Sequence, residues 1–531
     1  MKKNLFLIGA SLLIFAVSCK KTDTTAPPDT PTPTPVPPPV SSTFAGPTYA
    51  DNYTPFAGYS SRSQWNLGNV HDPTVEKCGD YYYMYGTDAS YGGVLDGYGH
   101  FPYKRSKDLV TWDYIGTAFA DVPAWVKDSM NLKRARINLP PITNPNYGYW
   151  APYVKKVGAK YRMYYSIVVT NPIVGTDNNT SWSERAFIGL AESDDLSSNI
   201  WVDKGMVVCS EPDGVKSYTR NGANDWGAYY KFNAIDPTFN ITPAGEHWLI
   251  YGSWHSGIAA LKLNPATGKP DKLETINDYG VRVAGRGNVS TDRWQGTEGA
   301  EIIYNSVTNY YYLFLAYDEL SVAYNTRVCR SKNITGPYLG IDGGNVTTGA
   351  QCWPIITHPY AFNGNTGWVG ISHCSVFQNP DTKEWFYASQ QRLPKDVPGI
   401  NASNAVMMGN VRAISWTEDG WPVVSPERYA NVPKTTITEQ SLLGTWEQIT
   451  LKYQIYVMQK PVNVILTSDK KVSGDVTGTW SFDAVKSILT INGNNFNVAD
   501  AWDWEAYTRK VTITYAGLTP AGLSVWAKKV L

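Results

Sequence analysis

The sequence predicts an all-β molecule: a five-bladed β-propeller followed by a small C-terminal β-barrel-like domain. Three observations carry that expectation. Five stretches repeat one pattern, a short apolar strand, a turn signal and a strand dense in aromatic residues, which is the alternation of a β-hairpin. Successive repeats begin roughly 60 to 90 residues apart, enough for four strands and their loops. Beyond about residue 436 the pattern changes to short alternating strands with glycine turns, in a block of roughly a hundred residues that can fold alone.

The chain has 531 residues, too many for one ordinary compact core, so several domains or one large repeat architecture is expected. It opens with MKKNLFLIGASLLIFAVSC, two lysines and an apolar run that ends in small residues before Cys19. Residues 1–18 read as a targeting segment, and the AVSC ending resembles a bacterial lipobox, with cleavage before Cys19 and lipidation of its thiol. Plain secretion with a chance cysteine is the alternative. No later stretch is apolar for long enough to span a bilayer, so the expectation is an exported lipoprotein held at the outer membrane by lipid alone. Residues 19–45 carry the lipidated cysteine and a run rich in Pro and Thr. Prolines lack amide donors and favour extended conformations, so this segment reads as a stiff spacer.

Lys plus Arg and Asp plus Glu both number 46, a balance that speaks against nucleic acid or an acidic polymer as partner and for a neutral ligand. Aromatic residues make up 13% of the chain; they suit flat surfaces for sugar rings, and they suit β-strands equally. Besides Cys19 there are five cysteines, at 78, 209, 329, 352 and 374, with no CxxC or Cys/His ligand spacing. They are expected to be buried small apolar residues without chemistry.

Residues 46–435 hold the five repeats. Their first strands are DPTVEK, APYVKK, DPTFNI, EGAEIIY and HCSVFQ, and their second strands are GDYYYMYGT, AKYRMYYSI, GEHWLIYGS, NYYYLFLAY and KEWFYASQQ. In a propeller the first strand of each blade lines the central channel, so the strand starts converge at one mouth. At this phase stand Asp72, the Trp150 and Ala151 pair, Asp236, Glu298 and His373, with Glu298 out of step by one residue. A single Asp before Pro is usually a turn residue, and strand ends need polar groups to satisfy the backbone. Three acids and a histidine at nearly one phase ask for more than that. Hydrolysis of a glycosidic bond uses a proton donor on the leaving oxygen and a second carboxylate acting on water or on the sugar carbon. A third acid raises the donor's pKa.

Taken in order, VHDPTV, YWAPYV, AIDPTF, YGSWHSGI, TEGAEI, ITGPY and SHCSVF resemble glycoside hydrolase family 43, in particular its endo-α-1,5-L-arabinanase branch, over about residues 49–424. The resemblance implies a five-bladed propeller that cleaves internal α-1,5-L-arabinofuranosidic bonds of arabinan with inversion. It assigns Asp72 as general base, Asp236 as the residue that tunes and orients the acid, and Glu298 as general acid. His373 matches the histidine that contacts a calcium-centred site. The chain departs from the pattern twice. EGAEI stands where relatives often have Pro and an aromatic after the Glu, which leaves Glu301 as a less favoured competing acid, and SHCSV replaces the more usual GHNSV. Calcium prefers oxygen ligands, so carbonyls or waters would complete a site on His373.

Trp150 and Trp254 flank the acid-bearing strand ends and would stack on sugar rings, or else pack between blades. His71 and Ser253 would contact substrate hydroxyls. Loops at residues 88–121 and 168–183 would leave the cleft open at both ends or block one. Three alternatives stay open: an exo-acting arabinofuranosidase, a xylan-directed relative on the same fold, and a non-catalytic glycan-binding lipoprotein. Residues 436–531 contain LLGTWEQITLKY, VNVILT, VTGTWSFD and SILTING, with two GTW phrases at Gly444 and Gly478. This accessory domain is expected to supply none of the carboxylates, and the protein is expected to be a monomer.

Overall fold

The computed structural model describes residues 44–50, 59–87, 99–136, 138–169, 185–211, 230–254, 257–288, 296–397 and 407–530. The targeting segment, Cys19, nearly all of the spacer and most of the loop expected at 168–183 lie outside the described residues. Of the loop expected at 88–121, residues 88–98 also lie outside them, and the rest is no cleft loop: it folds largely as the third and fourth strands of blade one, at residues 100–106 and 113–119. Among the described residues no helix is long and apolar enough to cross a membrane.

Five four-stranded antiparallel sheets follow one another along the chain, each with its strands in sequence order. Blade one holds β1 (Thr74–Cys78), β2 (Tyr81–Tyr85), β3 (His100–Ser106) and β4 (Asp113–Phe119). Helix α1 (Trp125–Arg136) leads to blade two, with β5 (Tyr147–Val157), β6 (Lys160–Val169), β7 (Arg185–Ser193) and β8 (Val202–Cys209). Blade three holds β9 (Thr238–Ile241), β10 (His247–Tyr251), β11 (Ile258–Leu263) and β12 (Val281–Ala284). Blade four holds β13 (Thr297–Asn305), β14 (Tyr310–Tyr317), β15 (Asn325–Ser331) and β16 (Ile355–Thr357). Blade five holds β17 (Val369–Gln378), β18 (Trp385–Arg392), β19 (Met408–Trp416) and β20 (Pro422–Val424). The five aromatic phrases are the second strands of the five blades.

Their aromatic character has a packing reason. A second strand is covered by neighbouring blades on both faces, so it reads as a nearly continuous apolar run, and large rings fill the wedge between twisted sheets. Tyr83, Tyr85 and Tyr103 of blade one join Met163, Tyr165 and Phe187 of blade two in one cluster. Tyr164 and Leu190 join Phe239 and Tyr251 across the next seam. The segment just ahead of blade one closes the ring: Gly409 N donates to Leu67 O at 2.7 Å, and Val70 N donates to Met407 O at 3.2 Å.

The inner strands share one irregularity. In blades two, four and five, two residues of the first strand oppose one of the second, between Trp150 and Tyr153, Glu298 and Glu301, and Ser372 and Ser375. Blades one and three do the same just before their first strands, since Thr87 N reaches His71 O and Gly252 N reaches Ile235 O. The first residue of each bulge is left-handed: Asp72 (φ 47°), Ala151 (39°), Asp236 (53°), Gly299 (54°) and His373 (52°). A bulge at the rim of a sheet re-aims a side chain, and here it does so five times around one channel mouth. At the other end of the channel a cavity of about 890 Å³ is lined by Glu76, Lys155, Asn240 and Gln378.

After helix α2 (Glu439–Leu442), eight strands form a closed barrel: β21 (Gly444–Thr450), β22 (Val462–Leu466), β23 (Lys471–Gly474), β24 (Gly478–Asp483), β25 (Ile488–Ile491), β26 (Asn494–Trp502), β27 (Val511–Leu518) and β28 (Ser524–Lys529). The two GTW phrases open β21 and β24, and their Trp446 and Trp480 fill the barrel with Leu489, Phe496 and Tyr515. Outward-facing Ile449, Leu451 and Trp526 pack with Ile355, Trp368 and Tyr360 of the propeller in one continuous core. Lys528 of β28 lies buried at this junction, with Glu427 at 2.6 Å, Asp503 at 2.7 Å and Glu505 at 2.9 Å.

Candidate active site

The five bulges bring Asp72, Asp236, Glu298 and His373 together at one mouth. Blade four shows why Glu298 is out of step in the sequence: Gly299 takes the left-handed position that aspartates hold in blades one and three. The carboxylate is therefore supplied by the preceding residue, the phase that His71 and Trp150 occupy in their blades. Gly299 also lets the backbone come close, since a Cβ there would lie 2.8 Å from the His373 ring.

Asp72 is gripped on both carboxylate oxygens. Oδ2 accepts from Thr87 Oγ1 at 2.6 Å and lies 3.0 Å from His71 Nδ1, and Oδ1 lies 2.9 Å from His373 Nδ1. Burial pushes its pKa up, but the charges and hydrogen bonds of His373 and His71 outweigh that and hold it well below the usual carboxylate range. Thr87 Oγ1 also accepts from Ala151 N at 2.6 Å, tying blade two to the same carboxylate.

Asp236 Oδ2 accepts from Gly299 N at 3.2 Å. Burial pushes its pKa up to about 7; His373 opposes this, while Glu298 and Asp72 add to it. Asp236 thus holds its proton more readily than Asp72, which stays ionised. His373 is held up to about 10: burial lowers it, and Asp72 and Asp236 raise it by more.

Glu298 accepts three hydrogen bonds. Oε2 takes Trp254 Nε1 at 2.7 Å and Ser253 Oγ at 3.1 Å, and Oε1 takes Tyr324 OH at 2.6 Å. Trp254 and Ser253 therefore meet Glu298, and His71 meets Asp72, in addition to any role toward a ligand. Trp150, half-buried, packs against Val168, Ala186 and Ile235. Glu301, on the same strand as Glu298, is 1% exposed and receives Tyr153 OH at 3.1 Å. Burial pushes it up to about 8, and it lies deeper in the channel wall than Glu298.

A cation at His373 would have to displace a proton, since the neighbouring carboxylates hold the ring protonated. Nδ1 faces Asp72, so a metal contact falls to Nε2. The surrounding carboxylates supply negative charge, and water would supply most of the oxygen ligands that calcium prefers. Among the described residues, the group of three ligating side chains within 4.8 Å of one another is Glu427, Asp503 and Glu505, and there the Lys528 ammonium is already seated.

Thr87, Tyr324 and Gln390, whose Oε1 accepts from Asp72 N at 2.5 Å, belong to the site without a sequence motif that marks them. Thr87 carries a faint signal as the last residue of the phrase GDYYYMYGT, two residues past β2 and bonded through its N–H to His71 O. Tyr324 and Gln390 reach the site only through the folding of blades four and five.

Three carboxylates at one mouth of a closed ring of five blades are equipped for glycoside hydrolysis. Residues 67–422 match the description "Glycosyl hydrolases family 43" and residues 426–527 match "C-terminal lipocalin-like domain". The chain belongs to glycosyl hydrolase family 43. It is 28% identical over 499 residues to the extracellular endo-α-(1→5)-L-arabinanase of Thermotoga petrophila, covering 87% of this chain and 93% of that one. It is 26% identical over 498 residues to the extracellular endo-α-(1→5)-L-arabinanase 2 of Bacillus subtilis, covering 90% and 96%. The crystal structure of endo-1,5-α-L-arabinanase from Thermotoga petrophila RKU-1 superposes with a TM-score of 0.67 at 27% identity, covering 88% of this chain and 99% of that one.

Proposed function

We propose that the protein is an endo-arabinanase that hydrolyses internal α-1,5-L-arabinofuranosidic bonds with inversion. The observation that carries this reading is the convergence of Asp72, Asp236 and Glu298 at one propeller mouth, in a chain alignable over most of its length with relatives named endo-arabinanases. In this reading Asp72, kept ionised by His373 and His71, takes a proton from the attacking water. Glu298 protonates the leaving oxygen. Trp254 Nε1 can only donate, whereas the Tyr324 hydroxyl both donates and accepts. Ser253 and Tyr324, as hydroxyls, can each turn from donor to acceptor when Glu298 is protonated, so both oxygens keep a partner through the proton's delivery. Asp236 orients the bulge beneath Glu298 through Gly299 N and shares the charge of the group. Trp150 and Trp254 offer ring faces to the sugars, and His71 and Ser253 offer polar edges.

We propose calcium at the channel centre, where His373 Nε2, once deprotonated, and water would hold it and it would supply fixed positive charge. Chelation followed by calcium re-addition tests this, full activity after exhaustive chelation being the contrary result. We also propose export with a lipid on Cys19; Cys19→Ala should move the protein out of the membrane fraction, and unchanged attachment would contradict it.

Debranched arabinan, xylan and an aryl arabinofuranoside, tested side by side, decide the substrate. Mixed oligosaccharides from arabinan at early times are expected. Arabinose alone would indicate the exo-acting alternative, xylose products the xylan-directed one, and no turnover a glycan-binding lipoprotein.

A further inference from the structure

The barrel does not stop at the propeller's outer wall. The segment between β21 and β22, residues 451–461, runs back onto blades four and five, where Gln459 N donates to Pro359 O at 2.9 Å and Ala361 N donates to Gln459 O at 3.0 Å. This anchors Tyr453 against the propeller. Its ring lies 4.4 Å from the Arg327 guanidinium, which also stacks on Tyr317 and Trp353.

Its hydroxyl donates to Asp318 Oδ1 at 3.2 Å and accepts from Arg286 Nη2 at 3.3 Å. Asp318, 6% exposed and left-handed at φ 69°, is the hub of two limbs. On the first limb, Arg286 Nη1 donates to Asp318 Oδ1 at 2.6 Å and to Gly296 O at 3.2 Å. Gly296 O also accepts from Asp318 N, and the next carbonyl, of Thr297, accepts from Trp254 N at 2.9 Å. Trp254 then donates to Glu298 Oε2. On the second limb, Asn325 Nδ2 donates to Asp318 Oδ2 and to Ala323 O, both at 2.9 Å. The next residue, Tyr324, donates to Glu298 Oε1. Each limb ends on one oxygen of the same carboxylate.

We propose that Tyr453, a residue of the C-terminal domain, is a positioning residue for Glu298, so that the barrel completes the catalytic site. The proposal rests on Glu298 acting as the general acid. Tyr453 touches no reacting atom; it acts by fixing Asp318 and Arg286, and through them the backbone on both sides of Glu298. A hub that loses one donor lets both limbs move, and misplacing a proton donor costs more than misplacing a bulk contact.

The test is Tyr453→Phe, which keeps the ring on Arg327 and removes only the hydroxyl, with Asp318→Asn as a second variant and Glu298→Ala as reference. On linear arabinan, Tyr453→Phe should lower kcat roughly fivefold to tenfold, the size of one lost hydrogen bond, with KM little changed. On an aryl arabinofuranoside with a good leaving group, which needs little proton assistance, the loss should be much smaller. Asp318→Asn should show the same selectivity. Unchanged kcat on arabinan, or equal losses on both substrates, would overturn the proposal while leaving the Glu298 assignment intact, provided Glu298→Ala itself loses polymer cleavage selectively. A Glu298→Ala variant without that selectivity would overturn both.

Discussion

Gly299 is the residue on which the geometry of the site turns. Four of the five bulges carry a side chain at the left-handed position, so the backbone conformation alone does not demand glycine there. The demand comes from His373, whose Cγ would lie 2.8 Å from an added Cβ. Gly299→Ala should push the imidazole off Asp72 and lower kcat on arabinan by on the order of a hundredfold, the scale of an ångström's misplacement. A thermal melt alongside checks that the variant is folded, and wild-type kcat would contradict the prediction. Asp72, Asp236 and His373 were legible in the sequence because they repeat one position ahead of one kind of strand. Glu298 was legible but shifted, because glycine displaced the carboxylate by one residue. Tyr324, Gln390 and Tyr453 left no periodic mark: their contacts are made by the closing of blades and by a loop from another domain.

At the scale of elements, the second strands were legible as aromatic runs because both of their faces are covered. The bulges were not, since an extra residue in a strand leaves no compositional trace unless proline follows it. The junction between barrel and propeller was equally silent. There Lys528 neutralises a buried set of acids. Burial works against its charge, yet Glu427, Glu505 and Asp503 hold its pKa well above the usual lysine range. Burial likewise raises Glu505, and Lys528, Glu427 and Arg428 together more than reverse this, holding it below the usual range; Glu427 is raised well above, by burial and then by Glu505. The signs give a window. The raised lysine contributes stability below its unfolded pKa that is lost as pH rises through its folded value. The depressed Glu505 contributes stability above its unfolded value that is lost in acid. Lys528→Met should therefore cost about 3–5 kcal/mol in urea unfolding at neutral pH, because it strands the buried Glu505 carboxylate without its ammonium. The penalty should shrink as pH falls below about 4, toward the depressed range in which Glu505 takes up its proton. A penalty that does not depend on pH would contradict the charge argument.

At the scale of the whole molecule, the propeller is a device for carrying acids from different blades to one point. Asp72 from blade one and Glu298 from blade four approach the mouth from different sides, with Asp236 and His373 between them in the ring. Such a layout suits one carboxylate activating water while the other protonates the departing sugar, and the two events together invert the anomeric carbon. The most direct test follows the first turnovers on linear arabino-oligosaccharides by proton NMR, before mutarotation mixes the anomers. The new reducing end should appear first as the β-anomer. An α-anomer appearing first would mean retention through a covalent intermediate, and would contradict the division of labour between Asp72 and Glu298.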